Sequence, residues 1–194
     1  MSETPSKKTD NSVQFIPKEI TSPIKDGLGI SKTAYTHISN LHSLLSDWTR
    51  IRDKSVKICK SLSALKLHDC EDNYYPHQTK QLIEDLLEAF DSLENIAGGV
   101  NIICTQMKAL SKLQPTNQPM INTWSASEIA HCIIDINESL QKELRLKQII
   151  TENIAHCRDE NLTEVYVSAW EFEAYFNMET NAYLFAEVGL SGIT

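Results

Sequence analysis

Three stretches of this chain repeat apolar residues at alternating steps of three and four, and that rhythm admits little besides long packed helices. The first seam runs Leu41, Leu44, Trp48, Ile51, Ser55, Ile58, Leu62 and Leu65. It predicts a helix over about Thr33 to Leu67, roughly 50 Å long at about 1.5 Å per residue. The second runs Leu82, Leu86, Ala89, Leu93, Ile96, Val100, Ile103, Met107 and Leu110, flanked by Ile83, Leu87, Phe90, Ala97 and Cys104. Its apolar face is broader than a two-stranded coil requires, which points to a bundle of three or more helices. Gly98-Gly99 inside it marks a kink or a close backbone approach, at a cost on the order of 1 kcal/mol per glycine.

The third seam is Ile129, Ile133, Ile136, Leu140 and Leu144, continued after a shift by Ile150 and Ile154. Ser125-Ala126-Ser127-Glu128 reads as the capping box that opens this helix, about Ala126 to Cys157. Glu138 with Lys142, and Glu143 with Lys147, read as (i, i+4) pairs worth a few tenths of a kcal/mol each. His156 falls in the last turn, where a donor suits the helix's negative end. Asp159 is placed to cap a fourth helix, about Glu160 to Phe176, with Asn161 and Glu164 as a rival capping box. Leu162, Val165, Tyr166, Ala169 and Trp170 form its expected apolar stripe. Tyr183 to Leu190 is a last short helical segment. The expected fold is all-α: an antiparallel, coiled-coil-like bundle of three long helices plus a short C-terminal helical pair.

Composition agrees. Hydrophobic residues at 41% and charged residues at 23% suit an ordinary globular domain. Six glycines and six prolines are too few for the turns of a β-sandwich. The net charge of −8 disfavours contact with phosphate backbones, so no direct nucleic-acid partner is expected. No apolar run approaches the roughly 18 residues of a membrane span, and no membrane partner is expected. The five cysteines (Cys59, Cys70, Cys104, Cys132, Cys157) are scattered, odd in number and never C-x-x-C, and the N-terminus is polar, so a reduced compartment is expected.

Residues 1–31 are polar and rich in Ser, Thr, Lys and Pro, and are expected to form a disordered tail ahead of a helical domain over 32–194. Thr4-Pro5-Ser6-Lys7 and Ser22-Pro23-Ile24-Lys25 match the Ser/Thr-Pro-x-Lys pattern of proline-directed kinases, which makes Thr4 and Ser22 candidate phosphorylation sites. Each phosphate would add roughly −1.5 to −2 charges.

Catalytic chemistry finds no foothold. Gly27-Leu28-Gly29 has no preceding strand and no following Lys-Ser/Thr, so it is no phosphate loop. His68, Cys70 and His77 do not have the spacing of a zinc site. His131-Cys132 and His156-Cys157 read as a surface histidine beside a core cysteine. No Ser-His-Asp set or paired carboxylates stand out. A non-enzymatic protein without metal or cofactor is expected. The C-terminal aromatics Tyr166, Trp170, Phe172, Tyr175 and Phe176 lie on too many sides of one short helix to be buried together, and aromatic surfaces concentrate binding energy. Tyr166, Trp170 and Tyr175 are therefore candidate partner-binding residues, although Trp170 alone suits core closure equally well.

Thr123-Trp124, Lys142-Glu143-Leu144, Leu146-Lys147, Ala155-His156, Asp159, Leu162-Thr163, Tyr166, Ser168, Trp170 and Tyr175 together resemble the cyclin-dependent kinase 2-interacting protein family. Trp48, Leu65-Lys66 and Met107 extend the likeness at matching distances. The resemblance adds Trp124 to the candidate partner-binding residues. It implies a small helical adaptor in nucleus and cytoplasm, associating with cyclin-dependent and replication-initiation kinases and with a checkpoint kinase's partner. It also implies membership, with a co-adaptor, of an AAA-type ATPase assembly acting in ribosome maturation and replication-fork proteostasis. Two other classes stay open: a structural coiled-coil subunit of a chromosome complex, and a helical tether in membrane traffic.

Overall fold

The computed structural model describes residues 25–69, 77–114, 117–176 and 178–190. These form five helices: α1 (Lys25–Asp69), α2 (His77–Leu113), α3 (Ala126–Ile154), α4 (Glu160–Phe172) and α5 (Met178–Glu187). The described residues contain no strand, only one isolated antiparallel bridge between Pro119 and Ser125. No described helix is long and apolar enough to cross a membrane. The chain is all-α.

The seam expected in α2 is the one it buries. Leu86, Ala89, Leu93, Ile96, Val100, Ile103 and Met107 lie in the core, with Leu82 and Leu110 half-buried at its ends. The helix runs unbroken through Gly98-Gly99. A Cβ on Gly99 would sit 3.1 Å from Leu44 Cδ1, so this glycine marks close approach of α1 and α2 rather than a kink. Nothing lies within 4 Å of the same position on Gly98.

α1 begins at Lys25, eight residues ahead of Thr33. Ala34 and Ile38 are buried, and the Ser31 hydroxyl donates to the Met120 carbonyl at 2.9 Å. This end is thus ordered by tertiary contacts that its polar composition does not announce. Further along, Leu41, Leu45, Trp48, Ser55, Cys59 and Leu62 are fully buried, while Leu44, Ile51 and Ile58 are half-buried. The wide face follows from the position of α1, which packs against α2 on one side and α4 on another.

α2 also packs on α3, and α4 touches both α1 and α3, so the fourth helix closes the core that the first three leave open. The C-terminal pair runs back along α1: Lys60 meets Glu171, Ser55 meets Trp170, Trp48 meets Phe176 and His42 meets Phe185.

Both predicted caps form. Ser125 accepts from the Glu128 amide while the Glu128 carboxylate accepts from the Ser125 amide at 2.7 Å, completing the box at α3. The Ser125 amide, with the Ser125 hydroxyl donating to the same carboxylate, holds the Glu128 carboxyl below its ordinary value. Asp159 caps α4 by accepting from Asn161 and Leu162, so the helix starts at Glu160 and the Asn161–Glu164 alternative is not used. α3 ends at Ile154, which leaves His156 in the turn beyond it, its amide donating to the Asn153 carbonyl.

Candidate functional site

The seam of α3 does not shift after Leu140. Its buried positions continue at 143, 147, 150 and 154, the same three-four rhythm, but two of them hold Glu143 and Lys147. Both side chains are fully buried and sit 3.3 Å apart. The expectation of an (i, i+4) pair worth only a few tenths of a kcal/mol is therefore corrected. Taking two charges out of water costs several kcal/mol per ion unless geometry and hydrogen bonds compensate.

The compensation comes from α1 and from the turn after α4. Lys147 Nζ donates to the Trp170 carbonyl at 3.0 Å and lies 3.7 Å from Glu173 Oε1. It also faces the Trp170 ring at 4.9 Å and the Trp48 ring at 6.0 Å, within cation–π reach. Glu173 accepts from Trp48 Nε1 at 2.6 Å and from the Arg52 guanidinium at 2.7 Å. Burial acts against the charged form of Arg52, but Glu173 and Asp53 outweigh it and the guanidinium's pKa is raised. Glu143 accepts the Tyr175 amide at 3.0 Å through Oε2, while Oε1 has Lys147 as its ionic neighbour and no hydrogen bond of its own. Burial pushes the Glu143 carboxyl up, and Lys147 pulls it back only in part. Trp170 Nε1 donates to the Ser55 hydroxyl at 2.9 Å, which explains the one polar residue in the α1 seam. Two acids and two bases from α1, α3 and the α4–α5 turn thus meet in one buried cluster.

The backbone bends to make this possible. Glu173 has φ 48° and ψ 87°, a left-handed conformation that costs an L-residue roughly 1–2 kcal/mol. It ends α4 at Phe172, four residues before the expected terminus, and its buried carboxylate reaches Trp48 and Arg52.

A second clasp holds the other end of the pair. Glu187, at the end of α5, accepts from the Thr123 and Trp124 amides and from the Thr123 hydroxyl at 2.8 Å. Asn122 donates to the Glu187 carbonyl at 2.6 Å. Burial opposes ionisation here, but the three donors prevail and keep the Glu187 carboxyl below its ordinary value.

The four candidate partner-binding residues do not share a surface. Trp170 is fully buried and closes the core. Tyr166 is half-buried and packs against that core, Trp124 does likewise beside the Glu187 clasp, and Tyr175 is 54% exposed. The expected stripe of α4 is also corrected. The helix buries Thr163, Val167 and Trp170, leaving Leu162 and Val165 outside along with Phe172. Thr163 can sit inside because its hydroxyl donates to the Asp159 carbonyl.

The cysteine readings fall into place unevenly. His131 and His156 are exposed, while Cys132 and Cys157 are only half-buried. Burial and the nearby Asp135 push the Cys132 thiol up to about 11. Burial lifts the Cys59 thiol to about 12 against the pull of Lys147, which disfavours its thiolate. Among the described residues no group of three His, Cys, Asp or Glu could hold a metal ion. Thr4 and Ser22, Cys70, and the side chains of His68 and His77 lie outside what is described.

Of the cluster, the sequence points to Trp170, Trp48 and Ser55, but it shows Glu143 and Lys147 only as an (i, i+4) pair outside the seam. Continuing the α3 seam at its own spacing lands on them. Arg52, Glu173 and Glu187 carry no local signal, since their roles depend on contacts more than 60 residues away.

No protein-family model matches the chain. Curated proteins do. Cyclin-dependent kinase 2-interacting protein of Mus musculus is 24% identical over 193 aligned positions, covering 85% of this chain and 90% of that protein. The Bos taurus protein of the same name is 21% identical with the same coverage. The Homo sapiens protein is 21% identical over 84% of this chain and 90% of its own length. Trp48, Glu143, Lys147 and Trp170, quoted above for the resemblance, meet in the buried cluster, which Tyr175 joins through its backbone amide alone, while Thr123 and Trp124 take part in the Glu187 clasp. These matches support a family relationship between the chain and the cyclin-dependent kinase 2-interacting proteins, across most of both lengths.

Proposed function

We propose that the protein is a non-enzymatic helical adaptor that engages a cyclin-dependent kinase, with the exposed side of its C-terminal helical pair as the docking surface. In this reading the three long helices run as an antiparallel bundle whose work is to hold that pair in place. One observation carries the assignment. The α4–α5 turn is fixed from inside by four buried or partly buried charges, yet it presents Phe172 at 78% exposure and Tyr175 at 54%. A rigidly mounted aromatic surface is what a hot spot requires. The names of the relatives supply the kind of partner.

By the same resemblance, further partners are a replication-initiation kinase, the partner of a checkpoint kinase, and an AAA-type ATPase assembly with its co-adaptor, in nucleus and cytoplasm. Thr4 and Ser22 are proposed as phosphorylation sites in the N-terminal tail, and an active cyclin-dependent kinase should label both.

The test is capture of purified cyclin-dependent kinase 2 by the recombinant full chain. Capture is expected, and changing Phe172 and Tyr175 together to Ser should weaken it about thirty-fold or more, the hot-spot scale of 2 kcal/mol. Absence of binding by the parent chain overturns the kinase reading. Unchanged binding by the variant moves the interface elsewhere.

A further inference from the structure

We propose that the outward face of α4 receives a basic amphipathic helix from a partner protein. The inference rests on the adaptor reading and names the chemistry of what docks. α4 is apolar on two faces. Thr163, Val167 and Trp170 face inward. Leu162, Val165 and Phe172, with Ala169 half-buried against the core between them, form a second row at steps of three, four and three, about 150° around the helix at 100° per residue. Leu162 is 41%, Val165 58% and Phe172 78% exposed. Single exposed apolar residues need no explanation, but a row with the spacing of a helix–helix seam does.

Charge selects the occupant. Residues 159–194 contain seven acids and no Lys, Arg or His, so seven of the chain's eight net negative charges belong to this C-terminal segment. On α4 itself these are Glu160, Glu164 and Glu171, with Asp159 at its cap; Lys60 of α1 meets Glu171 at 2.8 Å. A second copy of the chain would set acid against acid. Nucleic acid and anionic membrane surfaces are repelled for the same reason. A helix with an apolar stripe bordered by Lys or Arg fits both the row and the field. α4 is about 20 Å long, enough to meet some three to four turns of such a partner.

The full chain should be titrated with three synthetic peptides of about 20 residues, a length that can hold a helix against this face. One has leucines at heptad core positions bordered by lysines, one has the same composition scrambled, and one has glutamates in place of the lysines. The ordered lysine peptide is expected to bind at least about tenfold tighter than either control, more weakly as salt rises. Changing Val165 and Phe172 together to Ser should remove that preference without lowering the melting temperature. Equal binding of the scrambled peptide, equal binding by the variant, or no binding at all overturns the proposal. So does a dimer in sedimentation that the variant abolishes, which assigns the face to a second copy. Hydrogen-exchange protection of residues 1–24 that the variant releases assigns it to the chain's own N-terminus and likewise overturns it. Kinase capture run alongside separates the two readings: capture without peptide binding leaves the adaptor standing and removes only the basic-helix partner.

Discussion

Glu143 and Glu187 both tie the C-terminal pair to the rest of the chain, and they do so under opposite conditions. Glu143 is fully buried, faces Lys147 and accepts one amide; its carboxyl is pushed up by burial. Glu187 lies near the surface and accepts two amides and a hydroxyl; its carboxyl is pulled down. A buried ionic pair contributes little net stability against an apolar replacement, yet breaking it from one side is expensive, because a charge is left alone in the interior. A surface carboxylate with several donors contributes modestly and leaves water to take its place. The inner cluster therefore fixes which way the pair packs, and the outer clasp adjusts how firmly its end is held.

The largest effect should come from Lys147→Met. It strands Glu143 and weakens the hold on Glu173, and is expected to cost about 3–5 kcal/mol in urea unfolding. A loss below about 1 kcal/mol would show that water reaches the cluster and would erase the contrast with Glu187. Trp170→Ala should be comparably severe, about 3–5 kcal/mol, since the ring is fully buried. Tyr175→Ala, with its ring exposed and only its backbone bonded to Glu143, should melt nearly like the parent.

The pH dependence separates the two carboxylates next. With a lowered folded pKa, Glu187 contributes stability above about pH 4.3, the unfolded value, and loses it as pH falls through the folded pKa. Glu187→Gln should therefore be less stable at neutral pH and converge on the parent in acid. Glu143, raised on folding, acts the other way: its contribution improves as pH falls from its folded pKa towards about 4.3. Glu143→Gln should flatten that rise. Unfolding midpoints across pH 3 to 8, roughly the span over which carboxylates titrate, would reveal profiles that bend in the same direction if this assignment is mistaken.

The smallest effects concern the paired glycines. Gly98→Ala should stabilise by up to about 1 kcal/mol, because nothing opposes the new methyl group. Gly99→Ala should gain less or lose, because its Cβ would crowd Leu44 at 3.1 Å. Equal gains at both sites would deny the close approach of α1 and α2.

What the sequence made legible follows the same division between regular and singular interactions. The α2 seam, the Ser125 box and the Asp159 cap could be read residue by residue, because periodicity and capping are local. The start of α1 lies eight residues ahead of where its periodicity begins, since Ala34, Ile38 and Ser31 are ordered by contacts with distant parts of the chain. The buried face of α4 is not legible in the sequence because both its sides are apolar, and only packing decides between Val165 outside and Val167 inside. Glu143 and Lys147 read by residue type as a simple (i, i+4) pair outside the seam, although their spacing places them within it. Spacing outranked polarity there, and the partners that make this tolerable come from α1 and from a left-handed turn that no local pattern announces.

The most direct test of the buried cluster is a double-mutant cycle on Glu143 and Lys147. Glu143→Leu, Lys147→Met and the pair together would be compared with the parent by urea unfolding. Each single change is expected to cost about 3 kcal/mol or more, and the double change less than their sum by at least about 2 kcal/mol. Two single losses of a few tenths of a kcal/mol that add within about 0.5 kcal/mol would describe a solvated (i, i+4) pair and contradict the account.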